Sequence, residues 1–162
     1  GAQADARGDF LVKSLDRMGW NAPVISHWGP AGGRFSELAG AGAARVHFIQ
    51  TFSFSGNSSP KAKTVFEALQ KKYPAIKTFA DVTPAVGIAN AYDALHLMSL
   101  EIAKAGSTEG PKIREAMYNI DKYEGLIKTY AKPFTPTNQD ALTSSDYIFT
   151  YFKGDEILPL TN

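Results

Sequence analysis

The stretch Thr83–Ala105, TPAVGIANAYDALHLMSLEIAKA, decides how the rest of this 162-residue chain must be arranged. Thr83 suits an N-cap, Pro84 suits the first helical position, and Gly106 supplies a C-terminal stop. Asn90, Asp93, Glu101 and Lys104 fall near one line, because eleven residues make about three helical turns. Nearly everything else is apolar, including Val86, Ile88, Tyr92, Leu95, Leu97, Met98, Leu100 and Ile102. A helix apolar around most of its circumference belongs in a core. The small run Ala85, Gly87, Ala89 and Ala91 lets another backbone approach its first two turns. The stretch is too short and too interrupted by charge to span a membrane. The expectation is a buried scaffold helix.

Upstream of it, helical and strand periodicities alternate. Asp5 to Met18 reads as an amphipathic helix with Phe10, Leu11, Leu15 and Met18 on one face, Arg7, Lys13, Asp16 and Arg17 around the rest, and Gly19 at its end. Pro23-Val24-Ile25-Ser26 is a short apolar strand leading into the loop HWGPAGG, residues 27–33. A short helix over Arg34–Ala39 and a small-residue loop precede VHFIQTFSF, residues 46–54, a β-branched and aromatic strand. Ser59 then caps a helix that has Pro60 at its first position, an apolar face of Val65, Phe66, Leu69 and Tyr73, and a stop at Pro74. Short apolar strands alternating with amphipathic helices predict an α/β fold with a parallel sheet.

Downstream the texture changes. Ser107 or Thr108 caps a helix through Ile113, Ala116, Met117 and Ile120. YEGLIKTY (123–130) and YIFTYFK (147–153) read as two strands, separated by a Pro/Thr/Asn/Gln loop and followed by a turn at residues 153–156. Residues 80–83 are the best boundary, and no internal repeat or low-complexity tract interrupts the chain.

Composition excludes several classes of function. Apolar residues make up 44% of the chain and charged residues 20%, so a folded globular domain, or two small lobes, is expected. The net charge of +1, with no basic block, gives no electrostatic reason for nucleic acid or an anionic membrane. There is no cysteine, which removes disulfides, thiolate catalysis and cysteine-based zinc sites. The GAQA start does not resemble a signal peptide, which fits a cytoplasmic chain, a chain after cleavage, or a fragment.

A search for chemistry finds no catalytic constellation, no metal cluster and no cofactor motif. His27, His47 and His96 are scattered without metal-ligand spacing. Gly29-Pro30-Ala31-Gly32-Gly33 lacks the Gly-Lys-Ser/Thr ending of a phosphate loop, and Gly40-Ala41-Gly42 fails as GxGxxG because Arg45 stands where its last glycine belongs. No G-x-S-x-G elbow exists. Asp155 and Glu156 fall in a turn where solvation explains them, and the strand aromatics lack the interleaved basic residues of a nucleic-acid platform. What remains is position: in parallel α/β sheets, ligands sit beyond the carboxyl ends of the strands. That places Ser26, His27 and Trp28, then Gln50, Thr51 and Phe52, on a ligand-binding rim. Trp28 has the character of a stacking wall, against the alternative that it packs on its own lobe.

Taken in order, GWxxPVISHWG, LAG followed by VHFIQTFSF, PKAKTVFEALQKKYP, ANAYDALHLMSLEIAKAGSTEGxKIREAM and YEGLIKTYAKPFTPTNQDAL resemble the C-terminal portion of the branched-chain-amino-acid-type substrate-binding proteins of ABC transporters. The resemblance implies a partial type I periplasmic-binding-protein fold: a parallel-sheet C-terminal lobe, plus helices and strand of the N-terminal lobe. On that scheme residues 1–80 form the ligand-binding lobe, 84–140 return to the other, incomplete lobe, and 146–162 cross back. Residues 81–83 and 140–146 are then hinges. It also implies a periplasmic protein that binds a small organic solute without catalysis or cofactor and delivers it to a membrane permease.

Two departures from the family qualify this. The first half of the family's length is missing, so the apolar surface of the central helix needs other cover, from the absent half or from a second copy. And where amino-acid-binding members offer an acid near the WGP loop, this chain reads Ser26-His27-Trp28-Gly29-Pro30. A buried ammonium without a carboxylate partner is costly, which favours an aromatic or aliphatic carboxylate, or an amide, over an amino acid. The competing readings are a sensory or regulatory ligand-binding domain of the same fold and, with no nucleophile to support it, a hydrolase or transferase fragment.

Overall fold

The computed structural model describes residues 2–160, with side chains from Gly8 onward. Gly1, Arg7's side chain and the last two residues of the predicted 146–162 crossover therefore lie outside the described residues. The chain divides into two compact units, with boundaries between Val86 and Gly87 and between Asp146 and Tyr147.

The first unit opens with helix α1, Ala2–Arg17, followed by strand β1, Val24–Ser26. A 3-10 turn at Gly29–Ala31, helix α2, Phe35–Ala39, and a second 3-10 segment at Gly40–Arg45 lead into strand β2, Val46–Gln50. Helix α3, Pro60–Lys72, follows, and a 3-10 turn at Phe79–Asp81 precedes the exit to the second unit. The chain returns as an antiparallel hairpin of β5, Ile148–Lys153, and β6, Glu156–Pro159. In the sheet, of order β1-β2-β5-β6, β1 runs parallel to β2 while β5 and β6 are antiparallel. The predicted parallel sheet is thus a parallel pair extended by a hairpin.

Along β2, Val46, Phe48 and Gln50 are buried and His47 and Ile49 less so, the period of two that burial of one face imposes. Phe152 packs on Phe35 at 5.5 Å and on Phe48 at 5.0 Å between ring centroids, and Val12, Ala31, Ala39, Ala43 and Val46 complete this core. The strand stops at Gln50 rather than running to Phe54. Beyond Gln50 the chain bends and turns Phe54 into an aromatic cluster with Phe52, Phe66 and Phe79, which burial of rings favours over further ladder bonds. The Ser59 cap of α3 is as predicted, with its Oγ accepting from the Ala62 N–H at 3.1 Å.

In α1 the buried face differs from the predicted one. Asp9, Val12 and Leu15 are buried, whereas Phe10 and Met18 are 62% and 73% exposed. Gly42 explains the choice: a Cβ there would lie 2.3 Å from Val12 Cγ1, so the second 3-10 segment comes down on Val12 and draws that side of the helix inward. Arg45 ties the same contact by donating to the Val12 carbonyl at 2.9 Å and to Asp16 at 2.5 Å.

The second unit contains most of α4, Ala85–Ala105, then α5, Gly110–Met117, and an antiparallel hairpin of β3, Lys122–Glu124, and β4, Thr129–Ala131. α4 starts one residue after Pro84, and Gly106 at φ +58° ends it. YEGLIKTY is a hairpin rather than a single strand. The reason is Asp93, whose carboxylate accepts from the Leu126 N–H at 2.5 Å, the Ile127 N–H at 3.0 Å and the Tyr130 hydroxyl at 2.9 Å. One buried acid thereby holds the turn. Gly125 is required by the close approach, since a Cβ would sit 2.6 Å from Asp93 Oδ2 and 2.6 Å from the Tyr130 ring. Burial first, then the Asp93 charge, pushes the Tyr123 hydroxyl up to about 12; burial and the Asp93 hydrogen bond raise Tyr130 as well. Asp146 accepts from Lys128 and Thr143: burial pushes its carboxyl up, but these donors together outweigh it and hold the acid below its ordinary range.

Two residues of the polar stripe of α4, Asp93 and Glu101, therefore lie on its inward face, while Lys104 is exposed. Asp93 and Glu101 are 2% and 1% exposed, beside Ala89 and Leu97, while Leu95 is 70% exposed and Met98 and Leu100 are also open. The expected buried scaffold is buried along one side only, and that side carries two acids.

Replacing Asp93 with Ala leaves two turn N–H groups and a buried hydroxyl without a partner and is expected to cost about 3 kcal/mol or more in denaturant titrations. Gly125→Ala is expected to cost about 1–3 kcal/mol by overpacking, and less in the Asp93→Ala background, because the carboxylate it strikes is then gone and only the clash with the Tyr130 ring remains. Burial raises the Glu101 carboxyl above its ordinary 4.5. The folded state then holds this proton where the unfolded state has released it, so the contribution of Glu101 to stability is fully present below pH 4.5 and is lost as pH rises through the raised value. Glu101→Gln should flatten that slope and be more stable than the parent at neutral pH.

Candidate functional site

The parallel pairing of β1 with β2 sets Val24 opposite Val46, Ile25 opposite His47 and Ser26 opposite Phe48. The two strands therefore point to the same end of the sheet, with β2 running on two residues past the last paired residue, Phe48, before Thr51–Phe52 begins. Four of the six predicted rim residues flank the strand ends as loop residues; Ser26 and Gln50 are the terminal residues of β1 and β2.

They do not share one environment. Gln50, Thr51 and Phe52 are buried, with Gln50 Nε2 donating to the Ile49 carbonyl at 3.0 Å and Phe52 set edge-on against Phe54 at 4.9 Å. His27 is exposed, Trp28 is 48% exposed, and Ser26 is half-buried. The HWG loop is held by the Ala31 N–H donating to the Trp28 carbonyl at 2.9 Å and the Gly29 N–H donating to His27 Nδ1 at 2.8 Å. A polar, aromatic edge thus stands on a packed floor. Such an edge can stack a flat ligand and offer it hydrogen bonds.

Cavities open in this unit among the described residues. A small one of about 20 Å³, room for a single water, is lined by Gln50, Phe52, Ser53, Ser55, Thr83 and Asp155 among others. A wider one of about 700 Å³ is lined by Pro30, Ala31, Arg34, Glu37, Phe152 and Asp155 among others. Ser26, His27 and Trp28 line neither. Sequence reasoning missed the roles of Asp155 and Glu156. Asp155 accepts from Ser36 Oγ at 3.0 Å and Glu156 accepts from Ser55 Oγ at 2.7 Å. They fasten the β5–β6 turn to α2 and to the segment after β2, across 119 and 101 residues, a separation at which no local pattern signals a contact. Arg34 and Glu37, at the mouth of the wider cavity, pair with each other.

Among the described residues no group of three or more His, Asp or Glu side chains could hold a metal ion, and no helix is long and apolar enough to cross a membrane. His96 stacks on Tyr92 at 4.1 Å, an ordinary structural role.

This arrangement is the fold of the type I periplasmic binding proteins, present in part. The leucine binding protein LivK of Thermotoga maritima superposes with a TM-score of 0.78 at 20% identity, over 97% of this chain and 41% of its own. A periplasmic binding protein type 1 of Bordetella pertussis gives 0.75 at 20% identity over 94% and 42%. The branched-chain amino acid transporter substrate binding protein LivJ of Streptococcus pneumoniae, solved with isoleucine, gives 0.72 at 21% identity over 94% and 40%. The chain spans about two fifths of the length of these structures. No protein-family model and no curated protein matches the sequence.

Exposure separates the rim residues experimentally. Trp28→Ala should leave stability within about 1 kcal/mol, whereas Phe52→Ala, which empties a buried site, should cost about 3–5 kcal/mol in denaturant titrations.

Proposed function

We propose that this chain is the C-terminal portion of an extracytoplasmic solute-binding component of an ABC importer, holding a small organic solute in a cleft of which the rim at Ser26–Trp28 and Gln50–Phe52 is one wall. The observation that carries it is the common exit of two parallel strands, which sets an exposed Trp and His beside a buried floor in a fold shared with solute-binding proteins. LivK is named a leucine binding protein, and LivJ a substrate binding protein that was solved in complex with isoleucine. Residues 1–80 would form the ligand-binding lobe, 84–140 the return to the other lobe and 146–162 the crossover back, with hinges at 81–83 and 140–146. The compartment would be the periplasm and the receiving partner a membrane permease.

Such a component needs more polypeptide than this chain provides. Phe10, Met18, Trp20 and Ile25 in the first unit, and Leu95, Met98 and Leu100 in the second, present apolar surface to solvent. Cover from the remaining part of a two-lobe protein, or from a second copy, accounts for both sets. Native mass spectrometry of the purified chain should show a co-purifying polypeptide or a homo-oligomer. A monodisperse monomer that binds no hydrophobic dye would overturn this part of the reading. Calorimetry of the full-length parent against amino acids, aromatic and aliphatic carboxylates and amides should find one tight class, weakened about tenfold or more by Trp28→Ala, about 1.4 kcal/mol. Absence of binding across the panel would reject a solute-capture role.

A further inference from the structure

The loop after β1 fixes more than the position of His27; it fixes which ring nitrogen carries the proton. A neutral imidazole has one N–H, and a nitrogen that accepts a hydrogen bond is the one without it. The Gly29 N–H donates to His27 Nδ1 at 2.8 Å, so the proton of the neutral ring resides on Nε2. The loop is built for this contact. A Cβ at Gly29 would lie 2.5 Å from His27 Cε1, so glycine leaves the imidazole its place, and the buried Pro30 and Ala31 anchor the turn beneath it. Nε2 is separated from Nδ1 by Cε1, and the loop bond is the sole hydrogen bond of this exposed side chain among the described residues. A fixed donor is left unused beside the half-exposed Trp28.

Resting on the reading of this rim as one wall of a ligand cleft, we propose that His27 is a specificity-determining residue that binds a ligand carboxylate through Nε2–H, while Trp28 carries the ligand's flat apolar body. The two adjacent side chains then define one ligand class, a carboxylate on a short arm from an aromatic or similarly flat group. An ammonium finds no counter-charge in this segment, since residues 26–33 contain no acid. The acid sharing a cavity with Gln50, Asp155, is engaged by Ser36 Oγ.

The test uses the chain itself, because weak binding to one wall is visible by NMR. Long-range ¹⁵N–¹H spectra of the imidazoles should show His27 as the Nε2–H tautomer. Titration with phenylacetate should move the His27 and Trp28 ring signals together; phenylacetamide should do so at several-fold higher concentration, and phenethylamine least of all. His27→Asp keeps an acceptor for the Gly29 N–H but carries no donor, and should weaken phenylacetate at least tenfold with the Trp28 indole signal of the free protein unchanged. Equal responses to the three probes, or the amine binding best, would overturn the carboxylate assignment. A response at Trp28 without one at His27 would remove His27 and leave the cleft reading standing. Silence of both rings toward all three probes would overturn the proposal together with the cleft reading on which it rests.

Discussion

The first unit is built on β2 being paired along both edges. One edge takes β1 in parallel and the other takes β5 antiparallel, while the inward row Val46, Phe48 and Gln50 lies in the core with Phe35 and Phe152 packed against Phe48 and each other. A strand with no free edge cannot slip, because moving it by one residue would turn its buried row to the other face. That fixed register determines where the loops begin. Ser26 is held opposite Phe48, so the HWG loop and the segment after Gln50 both leave the same end of the parallel pair, two residues apart along the strand direction.

The parts legible in the sequence are those governed by local rules. The cap Ser59 with Pro60, the stop at Gly106 and the alternation along Val46–Gln50 depend on backbone groups within a few residues, and all appear as read. The position of Ser26–Trp28 and Gln50–Phe52 at the ends of two parallel strands likewise follows from strand order. What was not legible depends on distant partners. The hairpin within YEGLIKTY exists because Asp93, some thirty residues upstream, supplies the acceptors for its turn, and a β-rich octapeptide with one glycine otherwise reads as a strand. Asp155 and Glu156 look like solvated turn residues until Ser36 and Ser55 arrive from across the fold. The rim was likewise found without its division into an exposed edge and a buried floor, since Trp28 and Phe52 are both large aromatics and only the fold distinguishes them.

Two helices share a subtler disagreement with their sequences. Amphipathicity identifies the face that gains most from leaving water, but it does not say what will cover that face. In α1 the inward side was decided by Gly42 descending on Val12, and in α4 by a carboxylate that the β3–β4 turn requires. The more apolar sides, with Phe10 and Met18 on one helix and Leu95 and Met98 on the other, remain open. Each of these side chains would gain roughly 1.5–3 kcal/mol from full burial, so a sequence that places them in register on helices carries a record of surfaces they were selected to meet. The superposed structures supply the scale of what could meet them, since about three fifths of their length has no counterpart in this chain.

The same reasoning bears on Asp93 and Glu101. A helix whose polar stripe faces inward is an error in a self-sufficient domain, because burying acids costs free energy that an apolar stripe would not. Asp93 offsets that cost with three donors that also shape a hairpin; Glu101, with Oε1 left without a hydrogen bond, does not. The difference between the two acids separates an interaction the fold needs from one it only tolerates. It makes α4 a helix with two working sides, one fastening a hairpin through charge and hydrogen bonds and the other free to meet an apolar partner. A chain arranged in this way is stabilised by its own contacts on one side of the helix and leaves an apolar side exposed on the other.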